Sequence, residues 1–123
     1  MTINFTSIDK GENSSNCWRE EVLVLDGHKW KELWDRHAAD EQPARALPSL
    51  NFASEMVVAV FAGEKPASGY SIEIKTIESD NEQLVVSVSE RKPGASARDV
   101  ITCPFHIVRM NKTEAKRLVV QRA

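Results

Sequence analysis

The side chains that could do chemistry are few and poorly spaced for it. His28, His37 and His106 stand nine or more residues apart, and Cys17 and Cys103 lie in opposite halves of the chain. Zinc ligands usually come in pairs with about two to five residues between them, so this spacing predicts no metal site. Nucleophilic catalysis needs a serine or cysteine with a base and an acid in contact. Ser68 lies in Ala67-Ser68-Gly69, without the first glycine of a nucleophile elbow and without its strand-to-helix setting. Glu20 and Glu21 are adjacent, so on a strand they point to opposite faces and cannot work as a carboxylate pair. Cys17 has no distinctive neighbours. The expectation is a noncatalytic chain with no metal and no cofactor. A small hydrolase or ligand-binding domain built on the 63–70 loop is the alternative.

Two cysteines do not make a disulfide framework in a chain long enough to fold around a core. Cys103 follows Val100-Ile101-Thr102 and is expected to be a small buried hydrophobe. Cys17 stands beside Trp18 in a Ser/Asn-rich stretch and is expected near the surface. A bridge between them would require export and Cα atoms within about 7 Å.

Recognition is the chemistry that the 63–70 stretch can offer. Pro66 presets its backbone, Gly69 tolerates positive φ, and Tyr70 is a good interface anchor. Lys65, beside the proline, is expected to be exposed. Lys65, Pro66, Ser68, Gly69 and Tyr70 are therefore the candidate partner-binding residues. The competing reading is a plain turn, with Tyr70 covering the end of the core.

Strong elements must flank that loop. Met56–Ala62 is a continuous apolar run, β-branched at its centre, and reads as a strand buried on both faces. Tyr70 to Ile77 alternates, with Ile72 and Ile74 on one side and Glu73 and Lys75 on the other, as a half-buried strand does. Residues 78–83 form a hairpin connection to Leu84, Val86 and Val88. Asp26 stands as an N-cap before Trp30, Leu33, Trp34 and His37, one face of a helix over about 27–38. His37 is expected at the edge of the core and His28 in solvent. Weaker strand signals lie at 2–8, 18–25, 100–103, 105–110 and 118–121, and residues 9–16 read as a loop. His106 alternates with Phe105 and Ile107 and is expected to face water or the helix. The pattern predicts an α+β fold in a single domain over residues 1–123. Its sheet is mostly antiparallel, curled or sandwich-like, with one amphipathic helix packed on it.

Composition narrows the partners. The net charge of −2 draws in no polyanion, and the basic stretch Lys112–Arg122 has no aromatic residue for base stacking, so nucleic acid is not expected. No apolar run reaches the length of a membrane span. The N-terminus shows no basic segment followed by an apolar one, which predicts a cytoplasmic protein, with an exported mature form as the alternative.

Gly63, Lys65-Pro66, Gly69-Tyr70, Ile72 and Ile74 follow the apolar strand. Leu84-Val85-Val86, Glu90, Pro93-Gly94 and Thr102-Cys103-Pro104-Phe105-His106-Ile107-Val108 come after them. This ordered set resembles the C-terminal domain of the PrcB protease-complex subunit family, over roughly residues 20–111. Ala67-Ser68-Gly69-Tyr70 stands where that family usually has Thr-Gly-Gly-Tyr, and Phe105 where it usually has tyrosine. The family's namesake is a lipoprotein that associates with a secreted bacterial protease complex. The resemblance implies a noncatalytic module that binds another protein or peptide, a protease among the candidates. No lipoprotein signal is seen, so the tether of the namesake is not expected here.

Overall fold

The computed structural model describes residues 1–122. The described elements are β1 (Phe5–Gly11), β2 (Arg19–Val24), α1 (Gly27–His37), β3 (Glu55–Ala62), β4 (Ser71–Asp80), β5 (Gln83–Arg91), β6 (Phe105–Asn111) and β7 (Arg117–Arg122). A four-stranded antiparallel sheet runs in the order β1-β6-β3-β2. A three-stranded sheet runs β4-β5-β7, with β4 and β5 an antiparallel hairpin and β7 parallel to β5. This is the α+β sandwich with an outer helix that the sequence pattern predicts.

The apolar run at 56–62 explains the layering. Both faces of β3 carry hydrophobes, so both must be covered. Met56, Val58 and Val60 meet Ile72, Ile74 and Ile77 of β4 and Leu84, Val86 and Val88 of β5. Val57, Ala59 and Phe61 meet Trp30, Leu33 and Trp34 of α1. The helix starts where the Asp26 carboxylate accepts the Lys29 N–H at 2.9 Å, which satisfies one of the free amides of the first turn. Trp30 also donates its indole N–H to Pro48 O at 2.9 Å, so the following loop closes over the helix.

Several expectations are corrected. β1 continues through Gly11, where a loop is expected, because Asp9, Lys10 and Gly11 pair with Ile107, His106 and Phe105. The alternation read at 70–77 is broken by a bulge between Ile74 and Thr76, which returns Ile77 to the core. Val100–Cys103 forms no strand: Thr102 makes one bridge to Lys65 and Cys103 one to Asn13, while Val100 and Ile101 stay exposed. Pro104 lies just before β6, where no ladder amide is demanded of it.

His106 faces neither water nor the helix; it lies buried between the sheets. β6 is an inner strand of a sheet covered on both sides, so Phe105 and Ile107 point to α1 while His106 and Val108 point to β4. The Ile74 N–H donates to His106 Nδ1 at 3.0 Å, and the Ser7 hydroxyl lies 2.7 Å from Nε2. Nδ1 must therefore be unprotonated, which fixes the neutral ring with its proton on Nε2, donated to Ser7 Oγ. Burial, helped by the Lys10 cation and opposed by Glu73, pushes the His106 pKa down to about 4.

Candidate functional site

The largest difference from expectation is at the cysteines. Cys17 and Cys103 are joined in a disulfide with Cα atoms 5.2 Å apart. β1 and β6 are partners, so the chain leaving one and the chain entering the other meet at the same end of the sheet. Ser14 N–H donates to Cys103 O at 3.0 Å, and Cys103 N–H donates to Glu12 O at 2.6 Å. The sulfurs thus close a junction that the backbone already forms.

The 63–70 loop is built onto this junction. Lys65 and Thr102 exchange two backbone hydrogen bonds, at 2.8 and 3.0 Å. Thr102 Oγ1 donates to Ala67 O at 2.8 Å. Ser68 N–H donates to Arg98 O at 3.0 Å, and Arg98 N–H donates back to Ser68 Oγ at 2.9 Å. Gly69 N–H donates to Glu12 Oε1 at 2.6 Å. Gly69 has φ +88°, and a Cβ there would sit 2.7 Å from Pro93 Cβ, so glycine is required twice over. The loop is therefore a fixed platform. Lys65 is half-buried, where exposure is expected, and its ammonium lies 5.7 Å from the centre of the Tyr70 ring. Pro66 and Gly69 are exposed; Ser68 and Tyr70 are half-buried.

Two residues of this face escape the sequence reading. Trp18 is 78% exposed and Ile101 63% exposed, on either side of the disulfide. Trp18 lines a cleft of about 670 Å³ with Asn16, Cys17, Arg36, Ala39 and Glu64. Ile101 lines a neighbouring hollow with Ser15, Cys17, Asp40 and Cys103. The signal available in the sequence is a tryptophan in a polar stretch, outside any apolar pattern.

Behind the disulfide lies a Ser–His–Asp chain. His37, buried as expected at the end of α1, has Ser14 Oγ 2.7 Å from Nδ1 and Asp9 Oδ2 2.7 Å from Nε2. Asp9 also accepts from Arg45 at 2.7 Å. Burial raises the Asp9 pKa, but the bonds from His37 and Arg45 outweigh it and hold the carboxyl below its usual range. Acyl transfer would also need an accessible hydroxyl and free amides to form an oxyanion hole. Ser14 is only 5% exposed. Its own amide is given to Cys103 O, that of Ser15 to His37 O at 2.9 Å, and that of Asn16 to Ser14 Oγ at 3.0 Å. What the chain can do is tie α1 to β1 and to the disulfide junction. His28 is exposed and lies 3.0 Å from Glu32. Among the described residues no three His, Cys, Asp or Glu side chains gather to hold a metal ion. No helix among them is long and apolar enough to cross a membrane.

Neither a curated protein nor a solved structure matches this chain significantly. Residues 56–111, from β3 through β6 and including the whole 63–70 platform, match the family model described as PrcB C-terminal, and the chain resembles that family over this region.

Proposed function

We propose that this domain is a noncatalytic protein-binding module whose contact face is the disulfide-tied end of the sandwich. One observation carries the reading: Trp18 and Ile101 are presented to solvent on either side of a cross-link that also anchors the 63–70 platform. A large side chain exposed on a rigid frame loses little on binding and buries much apolar area, which is what an interface anchor requires. The PrcB resemblance points to association with another protein, and a subunit that stabilises or regulates a bacterial protease complex is the role it favours. The closed environment of Ser14 supports binding over hydrolysis. The disulfide supports an exported form, because such bonds persist in oxidising compartments.

The test is affinity capture from cells that express the chain, with mass spectrometry of what is retained. Trp18→Ala should lose the retained partner while its thermal melt stays with wild type. Lys112→Glu, at the opposite end of β6, should retain it. Loss on Lys112→Glu with retention on Trp18→Ala would place the interface elsewhere.

A further inference from the structure

The charge around this face points to the chemistry of what binds there. Most cations of the chain sit against a carboxylate: Lys10 on Glu73, Arg19 on Glu90, Lys31 on Asp35, Arg45 on Asp9, Arg109 on Glu55 and Arg122 on Glu21. Six lysines and arginines form no ion pair among the described residues: Lys112 and Arg117 at the far end, and Lys65, Arg91, Lys92 and Arg98 at this one. Lys65, Lys92 and Arg98 stand in the paired loops of the platform, and Arg91 ends β5 beside them. Arg98 shares two hydrogen bonds with Ser68, Arg91 pairs with Ser71 at the start of β4, and Pro93 beside Lys92 touches Gly69. Arg91, Lys92 and Arg98 are exposed. Glu12 at the Gly69 amide, Glu64 and Asp99 are the acidic groups of this rim, and Asp40 and Glu41 line the Ile101 hollow, so the basic side of the face is the 91–98 stretch, which carries Arg91, Lys92 and Arg98 and no carboxylate. An exposed tryptophan and isoleucine beside an unpaired basic rim form a composite surface.

Resting on the binding-module reading, we propose that the occupant is an acidic segment of a partner protein. Its apolar side chain fills the Trp18 cleft, and its carboxylates meet Arg91, Lys92 and Arg98. Charge complementarity selects the segment and speeds its encounter; the apolar anchor holds it. A nucleic acid would also gain from the cations, but the overall negative charge opposes it.

The probe is a labelled peptide of glutamates around two phenylalanines, followed by fluorescence anisotropy and by tryptophan emission, with Trp18→Ala giving the share of Trp30 and Trp34. A peptide with lysines for glutamates and a single-stranded oligonucleotide serve as comparisons. The glutamate peptide should bind, weaken as salt rises, and quench or shift the Trp18 emission. The triple variant Arg91→Glu, Lys92→Glu, Arg98→Glu should raise its Kd at least about tenfold. The pair Lys112→Glu, Arg117→Glu, at the far end, should leave it unchanged. Overturning results are no binding, equal binding of the lysine peptide, insensitivity to the triple variant, or an oligonucleotide that binds as well. The two readings fail separately: a captured partner lost on Trp18→Ala but kept by the triple variant would sink the acidic segment and leave the binding face standing.

Discussion

The two ends of β3 solve different problems. Along its length, from Met56 to Phe61, every side chain is buried, against β4 and β5 on one face and α1 on the other. Beyond Ala62 the chain leaves that cover, and order is maintained by backbone hydrogen bonds to 98–102 and by the disulfide. The first region, laddered to β2 and β6, is held in its layer by area removed from water, which is non-directional and leaves nothing to recognise. The second fixes a short loop with directional bonds and can therefore leave Trp18 and Ile101 outside at little cost to the fold. The difference teaches that the apolar residues of the core report on folding, whereas the exposed ones at the junction report on binding.

The sharpest way to break this contrast is to damage the buried side. Trp34→Ala should cost about 3–5 kcal/mol in chemical denaturation, through lost area and the cavity left under α1. A loss below about 1 kcal/mol would show that the helical face carries little of the core. Next comes the cross-link. Cys103→Ser opens a bond between residues 86 apart, and should cost about 2–5 kcal/mol if unfolded-chain entropy governs. Thiol titration of the unfolded, unreduced protein should find no free sulfhydryl. Two free thiols would remove the staple from the account.

The third prediction separates the sheet interface from the junction by pH. The folded His106 pKa lies near 4, below its unfolded value near 6.5. A group depressed in this way contributes fully above the unfolded value. Its contribution falls as pH drops below about 6.5 and is gone once the pH has passed the folded value. Stability should decline between pH 7 and 5, before most carboxylates titrate. His106→Gln should flatten that decline, and an unchanged slope in the variant would count against the buried neutral ring. The smallest effect is at the surface: Trp18→Ala should change stability by less than about 0.5 kcal/mol. A larger loss would make Trp18 part of the fold.

Much of the frame was legible in the sequence. A β-branched apolar run flanked by loop residues forces a strand covered on both sides. Asp26 with the Trp30-Leu33-Trp34-His37 stripe forces the helix that covers one of them. The place of His106 is not legible locally, because its alternation is that of a one-faced strand, whereas β6 shares the interior of the sheet with β3. The cysteine pairing was not legible, since only the β1–β6 partnership brings residues 86 apart to one place. The platform residues Lys65 to Tyr70 are legible through Gly69 and Pro66, whose backbone demands are local. Trp18 and Ile101 carry no local pattern, and their exposure follows from what surrounds them in space. The unpaired state of Arg91, Lys92 and Arg98 is likewise a property of the assembled surface.

Hydrogen exchange of the free chain and of the chain saturated with its captured partner tests the central claim most directly. Amides at 15–18, 64–70 and 98–102 should slow on binding, while those of β7 and of the 80–83 turn stay as they were. Protection confined to β7 or to that turn, with the disulfide-tied end unchanged, would contradict it.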